Sequence, residues 1–150
     1  MENQKLECNA AIQISKTPRE VFEGIVDPAN MSNYFIANST GRMVEGAKLI
    51  WHFPEMDTDV PVTVGKIEED LLVSYYWGEG GKELLVEIRL EPFKEGTVVK
   101  IAEKEMDLNE EGIKWVKGNT EGWANFLACL KAYLEYGINL RKGAFDFRFQ

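Results

Sequence analysis

Glu103 and Glu105 are the residues whose type and spacing offer the most chemistry in this sequence. They follow Val99 and Ile101 at steps of two, and residues two apart on a strand share a face. If the two aliphatic side chains point into a core, the alternation carries both carboxylates inward with them. A carboxylate against an apolar cavity has a raised pKa and can act as general acid or base, or anchor a cationic ligand. Lys104 and Met106 blur the pattern, however, and the expectation is that the strand outruns the core and leaves both glutamates in water. No catalytic residue is assigned on this pattern; Glu103 is the carboxylate kept as a candidate, and no complete catalytic constellation surrounds it.

Other reactive side chains are sparse. His52 is the only histidine, and it alternates with Trp51 and Phe53, so it is expected to face outward. With no second histidine and no clustered thiols, zinc chemistry lacks a ligand set. Glu55, Asp57 and Asp59 lack the glycine and spacing of a calcium loop and read as solvated. No Gly-x-Ser-x-Gly elbow is present for a serine nucleophile. Gly78-Glu79-Gly80-Gly81 follows a strand but lacks the Lys-Ser/Thr and the helix of a phosphate loop, so it reads as a hairpin turn. Neither a metal nor a cofactor is expected. Cys8 and Cys129 read as reduced, buried small hydrophobes of a cytoplasmic protein, with a disulfide between them the alternative.

The elements that must position these groups come in a clear order. Residues 8–14 read as a first strand. Thr17-Pro18-Arg19-Glu20 then opens a helix with a capping box and a proline at its first position, and Val21, Phe22 and Ile25 form its apolar face. Asp27-Pro28 starts a second short helix carrying Met31 toward Tyr34-Phe35. From Gly41 to about Met106 the rhythm is period two, in short strands joined by tight turns, which predicts an antiparallel meander. Pro61 marks an edge or a strand start. Trp123, Leu127, Leu130 and Leu134 then form one stripe of a long helix, with Gly137 as its C-cap. Residues 110–119 read as a helical lead-in, broken or kinked at Gly118.

Composition bounds the partners. The chain of 150 residues is 45% apolar and 28% charged, which is the make-up of one globular domain over 1–150. A net charge of -8 repels phosphate backbones and anionic lipid, so neither nucleic acid nor membrane is an expected partner. The polar start Met-Glu-Asn-Gln-Lys-Leu-Glu is unlike a signal peptide, and no apolar run is long enough to span a bilayer. Phe145, Phe147 and Phe149 alternate with Asp146, Arg148 and Gln150, a strand-like pattern with one aromatic face. Exposed, that face is a homodimer or partner surface; docked, it covers the protein's own sheet or helix.

Several of these segments carry a resemblance. Thr17-Pro18-Arg19-Glu20-Val21-Phe22 with Asp27-Pro28 behind it, Leu90-Glu91-Pro92 followed by Gly96-Thr97, and Gly122-Trp123-Ala124-Asn125-Phe126-Leu127 running to Leu130-Lys131-Ala132-Tyr133-Leu134-Glu135 form an ordered set. The set resembles the START-like, helix-grip superfamily (SRPBCC), and more narrowly the activators of the ninety-kilodalton heat-shock protein's ATPase. The resemblance covers roughly residues 8–138, with 143–150 a tail beyond it; Tyr34-Phe35 stands where such proteins often carry Trp-Phe. It implies an α+β fold in which a curved antiparallel sheet of about six or seven strands wraps a long C-terminal helix, with two short helices after the first strand. It also implies a hydrophobic cavity between sheet and helix. The residues assigned to that cavity are Phe22, Tyr34, Phe35, Trp51, Phe53, Tyr75, Trp77, Ile101, Glu103, Trp123, Phe126, Leu127 and Leu130, any of which can instead simply pack the core.

The expected function is binding of a hydrophobic or amphipathic small molecule. The alternatives are a chaperone-binding interaction module, as the activator resemblance implies, and an enzyme of the polyketide cyclase or dehydratase kind. The enzyme would need polar groups in the cavity, for which Glu103, Tyr75 and Tyr34 are the candidates.

Overall fold

The structure is a computed structural model that describes residues 4–79 and 81–149. Seven strands form one antiparallel sheet in the order β1-β7-β6-β5-β4-β3-β2. They are β1 (Lys5–Ile14), β2 (Asn38–Ser39), β3 (Lys48–His52), β4 (Asp59–Glu68), β5 (Leu72–Glu79), β6 (Lys82–Phe93) and β7 (Gly96–Asp107). From β3 onward each strand pairs with the next, as the tight turns require, while β1 closes onto β7 at the far edge. The chain reaches β2 from β1 by crossing one sheet face through α1 (Pro18–Val26) and α2 (Pro28–Met31). Both helices start where the sequence signals: Thr17 and Glu20 complete the capping box, and Asp27 caps α2 by accepting from Ala29 N at 2.9 Å.

Register shifts between Val64 and Ile67 of β4, and opposite Leu6 and Glu7 of β1, mark the places where added residues bend and twist the sheet. The ladder between β4 and β5 stops at Thr63–Tyr76, short of Pro61, which pairs only with Ile50 of β3. Beyond that point β5 stays bound to β6 alone and carries Trp77 to the end of the sheet.

The helix α3 (Glu110–Tyr136) lies across the concave face, with its stripe of Trp123, Phe126, Leu127 and Leu130 buried. It runs unbroken through Gly118, so the expected kink is absent; each glycine costs a helix only about 1 kcal/mol, and the buried stripe continues past it. Gly137, at φ 66°, ends the helix in the left-handed conformation that glycine adopts without strain. The tail is not a strand. It turns back over the end of the sheet and closes in a 3-10 turn at Asp146–Phe149, with Phe145 packed on the core and Phe147 and Phe149 exposed. Cys8 and Cys129 are buried free thiols. Among the described residues no helix is long and apolar enough to cross a membrane.

Candidate functional site

A row of side chains crosses the sheet from β4 to β1: Val64, Tyr75, Val86, Glu103 and Cys8 occupy paired positions, and all are buried. Glu103 stands in that otherwise largely apolar row with 0% exposure. Glu103 Oε1 accepts from Asn119 Nδ2 at 3.0 Å and from Trp123 Nε1 at 2.7 Å, and Oε2 accepts from Trp77 Nε1 at 2.7 Å. Asn119 and Trp123 are one turn apart on α3 and so reach the same point. Three N–H groups fill three of the roughly four lone-pair sites of a carboxylate, and hydrogen bonds of this kind are the strong ones. Among the described residues no cation pairs with Glu103.

The expectation that both glutamates are solvated is thus overturned for Glu103 and holds for Glu105, which is exposed. The register explains the split. Leu6 pairs with Met106 and Glu7 with Lys104, so Glu105 is the extra residue of a bulge and leaves the inward series there.

Beside Glu103, burial pushes the Tyr75 hydroxyl well above its ordinary pKa, with the Glu103 charge adding to the effect. Tyr75 Oη and Trp51 Nε1 are buried and have no hydrogen-bond partner among the described residues. Tyr34 is also buried, but its hydroxyl donates to the Gly24 carbonyl at 2.8 Å.

The three donors to Glu103 line a cleft of about 210 Å³ between α3, the end of β5 and the tail. Its walls are Phe35, Trp77, Trp123, Phe126, Phe145 and Phe149, with Asn119, Asn125, Arg141 and Arg148 as the polar groups. Trp77 and Trp123 lie with ring centres 5.8 Å apart and planes tilted by 33°, their N–H edges turned toward Glu103. Gly118 and Gly122, one turn apart on α3, also line it, and a Cβ at either position would meet nothing within 4 Å.

Two arginines of the tail region pair with carboxylates elsewhere in the fold. Arg141 binds Glu55 through Nε and Nη2, both at 2.9 Å, and its guanidinium lies 5.8, 5.7 and 5.4 Å from the ring centres of Phe35, Phe53 and Phe145. The Glu55 side chain is only 3% exposed, which corrects its reading as solvated. Its partner lies 86 residues away, so no local pattern announces the pair. Arg148 reaches Glu121 at 2.8 Å and stacks 5.2 Å from the Phe145 centre. Phe35 and Arg141 divide this cleft from a second one of about 270 Å³, lined by Tyr34, Glu55 and Asp146 among others.

Of the residues the sequence assigns to a cavity, Phe35, Trp77, Trp123 and Phe126 meet at the first cleft, and Tyr34 borders the second. Phe22, Trp51, Phe53, Tyr75, Ile101, Leu127 and Leu130 pack in the core, and Glu103 sits behind its three donors. Sequence reasoning missed Gly118, Asn119, Gly122, Asn125, Arg141 and Arg148 as lining groups. The i, i+4 glycines facing the side of Trp123 and Phe126 were the available signal. His52 is about one-third exposed and lies 3.1 Å from Asp59, at the surface as alternation predicts.

The family model described as Activator of Hsp90 ATPase homolog 1-like protein matches residues 15–135. The chain belongs to this family. Among solved structures, the family fold recurs in protein SSP2350 from Staphylococcus saprophyticus, at 28% identity and a TM-score of 0.79, over 91% of this chain and 96% of that one. It recurs in the Aha1 dimer from Colwellia psychrerythraea, at 18% identity and a TM-score of 0.75, over 88% of this chain and 98% of that one. CalU16 from Micromonospora echinospora is similar at 15% identity and a TM-score of 0.68, covering 91% of this chain and 88% of that one. No curated protein sequence matches this chain. The START-like, helix-grip architecture read from the sequence is the architecture found.

Proposed function

We propose that the protein binds a small apolar or amphipathic molecule in the cleft between α3, Trp77 and the tail. The observation that carries this reading is how the walls are built. Six aromatic side chains contribute to the lining, while the indole N–H groups of Trp77 and Trp123 are gathered on Glu103 behind it. Two glycines leave the helix side of the cleft bare where any other residue would fill it. Mostly apolar walls with a few placed polar groups are what a ligand site requires. Glu103 then serves as a positioning residue, fixing the orientation of the two indoles. Both of its oxygens accept N–H groups, and the Tyr34 hydroxyl donates to Gly24, so neither of these two side chains presents a free polar group to the cleft.

Gly122→Leu tests this directly. The added side chain projects into the cleft, and replacing a helical glycine stabilises the helix by about 0.5–1 kcal/mol, so the variant keeps its fold. Native mass spectrometry, with denaturing controls, of both proteins purified from the natural host should find a small molecule on the wild type and none on the variant. A wild type that carries nothing, or a variant that retains the same adduct, contradicts the reading.

A further inference from the structure

Resting on the reading that this cleft binds a small molecule, we infer that its occupant is an anion: a compact aromatic ring system bearing one carboxylate-like group, with the ring against Trp77 and Trp123 and the charge on Arg148. Among the described residues, the charged groups that line the cleft are two guanidiniums, Arg141 and Arg148, and no carboxylate lines it. Glu103 does not reach it, because Trp77, Asn119 and Trp123 stand between.

The two arginines are in different states. Arg141 is committed through two N–H groups to Glu55, whose side chain is 3% exposed, and that pair is structural. Arg148 donates through Nη2 alone to Glu121, whose side chain is 65% exposed. A guanidinium carries five N–H donors in a planar fork suited to a carboxylate. Exposed single pairs of the Arg148–Glu121 kind contribute little in water, so an incoming anion displaces Glu121 at small cost. Phe145 lies under Arg148, at 5.2 Å, and holds the fork at the cleft.

A cationic occupant fits less well. The aromatic walls would attract one, but the positions over Phe145 are already taken by Arg141 and Arg148. At about 210 Å³ the cleft has room for a fused pair of rings.

The experiment is calorimetric titration of the full chain at pH 7 with three probes sharing one ring system: 2-naphthoate, 2-naphthylmethanol and 2-naphthylmethylammonium. The anion should bind about tenfold tighter than the alcohol, and the ammonium weakest, since a charge-assisted bond replaces a weak surface pair. Arg148→Gln should abolish the difference between naphthoate and the alcohol, both measured on that variant. Alcohol or ammonium binding as tightly as naphthoate, or a preference for the anion that survives Arg148→Gln, overturns the charge assignment while leaving the cleft a binding site. If none of the three binds, both the assignment and the binding reading fail.

Discussion

Replacing Glu103 by glutamine keeps the side-chain shape and removes one acceptor, and the structure sets what that costs. The amide oxygen is best placed at the Oε1 position, where Asn119 and Trp123 converge. The amide NH2 then faces Trp77 Nε1–H, so two donors meet and the 2.7 Å bond is lost. A hydrogen bond to a charged group contributes about 1.5–3 kcal/mol, and the two surviving bonds fall to neutral strength, losing roughly 1 kcal/mol each. Relief of a buried charge offsets part of this. The net expectation is a loss of about 2–3 kcal/mol, or roughly 5–10 °C in Tm for a chain of this length. Glu103→Leu leaves three N–H groups without an acceptor and should cost at least ~4 kcal/mol. Urea denaturation followed by far-UV circular dichroism reads both variants through the midpoint at constant m. Glutamine within about 0.5 kcal/mol of wild type, or leucine more stable than glutamine, would refute the reasoning.

Arg141→Leu should destabilise by about 2–4 kcal/mol, because it leaves the buried Glu55 carboxylate unpaired. In a double-mutant cycle with Glu55→Gln the two changes should cost less together than their sum by about 1–3 kcal/mol, and simple additivity would contradict a coupled pair. At alkaline pH the buried Cys8 thiol sets a sign. Burial pushes its pKa from an ordinary value of 9.0 up to about 11, so between those values the unfolded chain has lost a proton that the folded chain keeps. Stability should therefore fall as pH rises through that window, by at most about 1.4 kcal/mol per pH unit from this group, and Cys8→Ala should reduce the slope. Equal slopes in the two proteins, measured by urea titration between pH 8 and 10.5, would contradict this.

Elements governed by neighbours in sequence were legible from the residues themselves. Thr17, Glu20, Asp27 and Gly137 act within a few residues of where they stand, and the helices begin and end there. Leu84, Val86, Ile88 and Leu90 alternate along β6 and are all buried, as period-two geometry requires of residues that share a face. What failed was decided across the fold. The solvent reading of Glu103 rested on blurred alternation near Lys104, whereas the residue is buried because Trp77, Asn119 and Trp123 arrive from two other elements to satisfy it. The bulge at Glu105 depends on how β1 pairs, which β7 alone does not reveal. The tail has the alternation of a strand, but among the described residues it pairs with no strand and closes in a 3-10 turn. Arg141, bound to Glu55, holds its start to the sheet end, and its aromatics divide between the cleft and solvent.

Trp77 and Trp123 frame the cleft, and their indole N–H resonances report on it directly. In a two-dimensional 1H–15N spectrum titrated with 2-naphthylmethanol, the Trp77 and Trp123 signals should shift together and saturate. Trp115, which is buried but does not line the cleft, should stay in place. Unmoved Trp77 and Trp123 signals up to the solubility limit of the probe, or shifts confined to Trp115, would contradict the claim that this cleft is the binding site.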